Sequence, residues 1–110
     1  MNAANIRTHT VDTLDQAVIK MMSLKWTLAV NKLPTKKKNA ALQLLGRTNS
    51  KRQMLENARL SSIAVKLQKH AQALKQGRQD VNARLQQLNR TAAVIKAVNG
   101  LLSTVTKVLA

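Results

Sequence analysis

The sequence predicts an all-α protein, and three observations lead to that prediction. Trp26 is the only aromatic residue among 110, so the core has to be built from aliphatic side chains. Leucine, alanine, glutamine, lysine and arginine are abundant, and all of them favour helices. Apolar residues also recur every seven positions over residues 60–109, the spacing that holds one helix face against a partner helix. We call these residues the heptad ladder: Leu60, Leu67, Leu74, Val81, Leu88, Ile95, Leu102 and Leu109.

The first helix is predicted over residues 10–33. Thr10 is a suitable N-cap, and Asp12 and Asp15 follow in the first turn, where the partial positive charge of a helix start favours acidic side chains. The helix is predicted to end before Pro34, because a residue that precedes proline avoids helical dihedral angles. Apolar residues form two stripes along this segment, which predicts a helix packed on two sides.

A short second helix is predicted over residues 35–45. Gly46 suits the end of a helix, and three polar residues follow at positions 48–50. Ser50, with Gln53 three residues later, resembles a capping box, which is a typical start of a helix. A third helical segment is therefore predicted to begin at residue 50.

The third segment, residues 50–110, carries the heptad ladder. It is predicted to be either one long helix bent at Gly77 or a helical hairpin that turns near Gly77. We favour the long helix, because a hairpin has no reason to keep the seven-residue register across its turn and one glycine costs a helix only about 1 kcal/mol. Residues 1–110 are predicted to form a single domain, and the ladder predicts a helical bundle or coiled-coil assembly, as a homo-oligomer or within a larger protein assembly.

The charge of the chain predicts a polyanionic partner. Lys and Arg number 19 against 4 Asp and Glu, which gives a net charge of +15. Such a surface repels itself and attracts polyanions, of which nucleic acid is the commonest inside a cell. We therefore predict DNA or RNA as the partner. An anionic membrane and an acidic protein surface are the alternatives.

Basic residues crowd two of the predicted helix starts. Cations there are unfavourable unless an anion is bound, and free backbone N–H groups together with cations form a phosphate site. On an edge of the predicted long helix, Arg52, Arg59 and Lys66 extend the charge. The predicted phosphate-binding residues are Lys36, Lys37, Lys38, Arg47, Lys51, Arg52, Arg59 and Lys66. With one aromatic residue for stacking, binding would be phosphate-directed and weakly sequence-specific.

The sequence gives little support for catalysis. It has no cysteine and two histidines, and it contains no P-loop, dinucleotide motif or zinc-binding motif. We predict no enzymatic activity, no catalytic residue, no metal, no cofactor and no small-molecule substrate. The polar N-terminus does not resemble a signal peptide, which predicts a cytoplasmic protein or one inside a particle assembled in the cytoplasm.

These observations predict a small basic helical protein that packages or organises nucleic acid within a larger particle. Two alternatives stay open. One is a structural component of an assembly whose partners have acidic surfaces. The other is a membrane-active protein that uses a basic amphipathic C-terminal helix, residues 91–110, because the apolar face widens there and only two lysines follow Arg90.

Overall fold

The computed structural model describes residues 2–110, and over those residues it contains six α-helices and no β-strand. The all-α prediction is confirmed. The body measures 43 × 21 × 18 Å. Its helices are α1 (Ala3–Met21), α2 (Leu24–Asn31), α3 (Thr35–Asn57), α4 (Leu60–Lys69), α5 (Ala71–Leu85) and α6 (Thr91–Leu109).

Four of the helices, α1, α3, α5 and α6, form the columns of a bundle. α1 packs against α3 and α5, and α6 packs against the same two helices, so α1 and α6 stand at opposite corners. Successive columns run in opposite directions. The guanidinium Nη1 of Arg7, near the start of α1, donates a hydrogen bond of 2.7 Å to the carbonyl oxygen of Ala58, just past the end of α3.

The two short helices close the ends of the bundle. α2 contacts α1, α3 and α6 at what we call the upper end, where α1 and α5 finish and α3 and α6 begin. α4 contacts α1 and α6 at the opposite, lower end. Because α3 and α5 are not neighbours, α4 has to carry the chain across the lower end from one to the other. The break at His70 then lets α5 run upward.

The core is aliphatic, as the composition predicts. Leu14, Leu44, Leu67 and Leu74 are among the side chains fully removed from solvent, and Trp26 is 3% exposed. Burying one such side chain contributes about 1.5–3 kcal/mol relative to leaving it in water. α6 supplies the largest share, with one face buried along its length through Val94, Val98, Leu101, Leu102, Val105 and Val108.

The heptad ladder lies inside this core. Leu67, Leu74, Val81, Leu88 and Leu102 are buried, and the remaining three members are partly buried against them. The seven-residue spacing therefore corresponds to packing within one chain, and these side chains do not form an exposed seam for a second chain in this structure. Assembly into an oligomer stays a prediction that other surfaces would have to support.

The prediction of one helix over residues 50–110 is wrong. His70 separates α4 from α5 with φ −100° and ψ 12°, and residues 86–90 form a turn between α5 and α6. α5 and α6 do form a helical hairpin, but its turn is at residues 86–90 and not at Gly77. Four of these five residues are polar and exposed to solvent. Leu88 in that turn is buried, which explains why the seven-residue register survives it. Gly77 lies inside α5.

The predicted first helix, residues 10–33, is two helices with an earlier start. Asn2 caps α1, since its Oδ1 accepts a hydrogen bond of 2.8 Å from the backbone N–H of Asn5. Thr10 is buried inside α1, where its hydroxyl donates to the carbonyl oxygen of Ile6 at 2.8 Å. The chain then breaks after Met21, and Ser23 caps α2.

The predicted break at residues 46–50 is absent, because α3 continues from Thr35 to Asn57. Leu44, Thr48 and Leu55 are buried on its inner face, on both sides of Gly46. Packing along this face outweighs the cost of about 1 kcal/mol for a glycine inside a helix. The hydroxyl of Thr48 donates to the carbonyl oxygen of Leu44 at 2.7 Å, as expected in a helix interior.

Candidate nucleic-acid interface

The upper end of the bundle collects basic side chains from five parts of the chain. They come from the end of α1, from α2 and the residue after it, from the start of α3, from the end of α5, and from the first turns of α6. We call this set the basic end, and it consists of Lys20, Lys25, Lys32, Lys36, Lys37, Lys38, Arg84, Arg90 and Lys96. It holds nine of the 19 Lys and Arg residues of the protein.

Acidic residues are rare in and around the segments that form the basic end. The chain has no Asp or Glu between Asp15 and Glu56, and none after Asp80. Eight of the nine side chains are exposed, and Lys38 is half-buried. In the described part of the chain every ion pair involves Arg52, so no member of the basic end forms an ion pair. Asp80 lines one groove with Arg84 and Lys96, and the other seven cations are outside that groove. The upper end therefore carries a strong positive field.

The start of α3 lies at the centre of this charge. Pro34 is the N-cap and makes no side-chain capping bond, while its carbonyl oxygen accepts from the N–H of Lys38 at 2.9 Å. The N–H groups of the first turn have no helical carbonyl to bind. Three successive lysines, Lys36, Lys37 and Lys38, stand there with no acid in the turn. Cations at a helix start are unfavourable by about 0.3–1 kcal/mol each, and a bound anion removes that cost.

A groove between α3 and α6 joins the lysines of α3 to those of α6. It has a volume of about 310 Å³, and Lys37 from α3 and Lys96 from α6 both line it. Its floor is apolar, formed by side chains such as Leu33 and Ile95. The positive surface therefore continues from the start of α3 across to α6.

The other predicted residues on α3 are not at a helix start. Arg47 and Lys51 lie inside the continuous α3, where the backbone N–H groups are used in helical bonds. Arg47 donates through Nη2 to the Oδ1 atom of Asn99 at 2.9 Å, which ties α3 to α6. The predicted phosphate site around residue 50 therefore lacks the free N–H groups that the prediction required.

Arg52 is engaged by acidic side chains. Its Nη1 lies 2.9 Å from the Oε2 of Glu56, and its Nε lies 3.9 Å from the Oδ1 of Asp15. Its Nη2 donates to Asn49 at 3.0 Å. The Nε is buried and has no hydrogen-bond partner, because the carboxylate of Asp15 is beyond hydrogen-bond distance. Arg52 therefore holds α3 and α1 together, with its charge already balanced.

Arg59 and Lys66 lie at the lower end. Arg59 is the N-cap of α4, and Lys66 is in the last turn of the same helix. Residues 36 and 59 are separated by the length of α3, roughly 30 Å at 1.5 Å per residue. The structure therefore brings together Lys36, Lys37 and Lys38, and it separates them from the rest of the predicted site.

Six members of the basic end are missing from the sequence-based site: Lys20, Lys25, Lys32, Arg84, Arg90 and Lys96. The sequence does contain a pattern that indicates them. The acidic residues occupy four positions only, so residues 16–55 and 81–110 carry no negatively charged side chain. The sequence does not show that these two stretches meet at one end of a bundle.

A second, polar groove lies between α1 and α5. Arg78 donates through Nη1 to the Oγ1 of Thr10 at 3.2 Å, and burial lowers the pKa of its guanidinium from the ordinary value. The groove is lined by His9, Asp12, Thr13, Gln16, Arg78 and Asn82. Among residues 2–110, no three His, Cys, Asp or Glu side chains lie close enough together to hold a metal ion.

α6 is the one helix of the described chain that is long and apolar enough to cross a membrane. A helix from the core of a bundle has the same composition, and α6 buries seven residues against α3, α4 and α5.

In comparisons with known proteins, no family model, no curated protein and no solved structure matches this chain. Function is therefore inferred from the residues and their geometry alone.

Proposed function

We propose that this protein binds nucleic acid through the backbone phosphates, using the basic end. One observation carries the proposal: nine exposed or half-exposed cations lie at one end of the bundle, and seven of them are outside the groove that Asp80 shares with Arg84 and Lys96. Phosphate groups on a polymer are the ligands that such a field attracts most strongly. The role that follows is packaging or organising nucleic acid, within a larger particle if other proteins join it.

The composition of the basic end favours binding without sequence recognition. Seven of its nine members are lysines, which act as point charges and lack the planar fork with which arginine reads guanine. Trp26 is 3% exposed and cannot stack on a base. The bundle has a cross-section of 21 × 18 Å, which corresponds to about six base pairs of duplex at 3.4 Å each. Contacts with several phosphates at once are therefore within reach.

The proposal is tested by fluorescence anisotropy with random-sequence duplex DNA and with single-stranded RNA over a range of salt concentrations. We expect the affinity to fall steeply with salt on both polymers, because each phosphate contact adds about 0.9 to the slope of log K against log salt on duplex DNA. The triple variant K36Q/K37Q/K38Q should weaken binding equally for all sequences and lower that slope by up to about 3.

A matched variant, K69Q/K75Q/K107Q, removes the same charge from exposed lysines outside the basic end. It should lower the affinity and the slope much less than the first variant does. Equal effects of the two variants would mean that net charge, and not the basic end, determines binding. A wild-type protein that fails to bind either polymer at low salt would overturn the proposal and favour acidic proteins as the partners.

Membrane docking through residues 91–110 is the weaker candidate. The apolar face of α6 is enclosed by the other columns, so this mode would require α6 to leave the bundle and expose Val94, Leu101 and Val105. The nucleic-acid proposal needs no such rearrangement, because the basic end already faces the solvent.

A further inference from the structure

The corner between α1 and α2 exposes large apolar side chains. Ile19 is 52% exposed, Met22 69%, Leu24 73% and Leu28 55%. We call these four residues the apolar corner. In the described chain three other large apolar side chains are similarly exposed, and they lie further along, on α3 and α4. A concentration of this kind marks a binding surface, whereas single exposed apolar residues are ordinary.

The backbone places the apolar corner at a tight bend of the chain. α1 ends at Met21 and α2 begins at Leu24, so the bend takes two residues. The Oγ of Ser23 accepts from the backbone N–H of Trp26 at 3.3 Å and donates to the carbonyl oxygen of Lys20 at 2.6 Å, which holds the corner closed. Met21 and Trp26 are buried on the inner side. Met22 and Leu24 are left at the outside of the turn.

Positive charge accompanies the apolar side chains. Lys20 follows Ile19 and Lys25 follows Leu24, and Lys32 ends the same helix-turn unit. All three lysines are exposed, and the nearest acidic residue along the chain is Asp15, one turn before Ile19. A partner for this corner has to be apolar where Met22 and Leu24 meet it and anionic around them.

We propose that the apolar corner inserts into an anionic lipid surface. Met22 and Leu24 would enter the boundary between headgroups and acyl chains, while Lys20 and Lys25 contact lipid phosphates beside them. A bilayer accepts exposed apolar side chains without a complementary groove, whereas a folded protein partner would have to provide one. The bundle stays intact, because α6 and its buried face take no part.

Lys20 and Lys25 belong to both surfaces, but the lipid proposal and the nucleic-acid proposal can be tested separately. Phosphate binding by the basic end does not use Met22 or Leu24, and lipid insertion does not use Lys36, Lys37 or Lys38 as its anchor. Variants of the apolar corner should therefore leave nucleic-acid binding unchanged. Each proposal can fail while the other stands.

The test is sedimentation of the protein with vesicles of phosphatidylglycerol and phosphatidylcholine, compared with vesicles of phosphatidylcholine alone. Wild-type protein should bind only the anionic vesicles. The double variant M22S/L24S should bind them about tenfold more weakly, because two inserted apolar side chains are lost. A control variant, M54S/V65S, removes two apolar side chains elsewhere that are 48% and 80% exposed, and it should stay within about twofold of wild type.

Circular dichroism of both variants should match that of wild type, since all four side chains are exposed. If M22S/L24S does not fold, the single variant L24S gives the same comparison at smaller amplitude. The proposal is overturned by a wild type that ignores anionic vesicles, by M22S/L24S binding as well as wild type, or by an equal loss in M54S/V65S. It is also overturned if light scattering shows that M22S/L24S dissociates a dimer, because a second copy would then cover the corner.

Discussion

Gly77 offers a direct test of the packing between α5 and α6. A Cβ atom at this position would lie 3.0 Å from the Cδ1 and 3.5 Å from the Cα of Leu101. Gly46 and Gly100 are also inside helices, and a Cβ atom there would meet nothing within 4 Å. No glycine in the described residues has a positive φ, so the backbone accepts alanine at all three positions. The three substitutions therefore differ only in what surrounds them.

The expected magnitudes follow from helix propensity and from packing. Replacing a glycine inside a helix by alanine raises the free energy of unfolding by up to about 1 kcal/mol. G46A and G100A should gain that amount, which raises the melting temperature by about 4 °C or more. In G77A the gain is opposed by the side chain of Leu101, which is fully buried and would have to shift by a few tenths of an ångström. Overpacking of this kind costs about 1–3 kcal/mol, so we expect G77A to range from no change to a loss of about 2 kcal/mol.

Urea unfolding followed by circular dichroism measures all three variants on one scale. The deciding quantity is the difference between G77A and G100A, which we expect to be at least about 1 kcal/mol. In the background of L101A the opposing side chain is removed, so the alanine at position 77 should recover its gain. If G77A stabilises the protein as much as G100A does, α5 and α6 are not in close contact at this point.

Two further predictions test the core and the course of α3. Leu74→Ala should lower the free energy of unfolding in urea by about 2–5 kcal/mol, because Leu74 is buried in the chain's own core. The mass of the protein in light scattering should not change. A fall in mass with little loss of stability would instead place the ladder between chains. Lys51→Pro should lower the free energy of unfolding by about 3 kcal/mol or more, because residue 51 is inside α3 and proline there removes a helical hydrogen bond. Were a helix to start at residue 50, proline at its first position would be tolerated, and an unchanged unfolding midpoint would show that.

The helical class was predictable because composition and periodicity are local properties. The heptad ladder also identified buried positions correctly, since Leu67, Leu74 and Val81 are all in the core. The partner of that face was not predictable, because a seven-residue spacing describes one side of a helix and says nothing about which helix covers it. In this protein the covering helices come from the same chain.

The helix boundaries were less predictable, since local signals competed with packing. Gly46 and the polar residues after it resemble a helix end, yet the buried face of α3 carries the helix through them. Thr10 resembles an N-cap, yet it is buried and bonds to Ile6 inside α1. In each case tertiary contacts contribute more free energy than the local preference of one residue.

The candidate site shows the same division between local and global information. The lysine run of α3 was visible in the sequence because its three members are adjacent, while Lys25 and Arg84 come together only through the antiparallel columns.

The fold buries the heptad ladder and also concentrates positive charge at the upper end, next to the apolar corner. Any assembly of this protein has to use surfaces that remain exposed, and the ladder is not among them. The basic end and the apolar corner are the two exposed surfaces for which we propose partners. Both need positive charge, but only the apolar corner also needs apolar insertion, so serine substitutions at Met22 and Leu24 separate them.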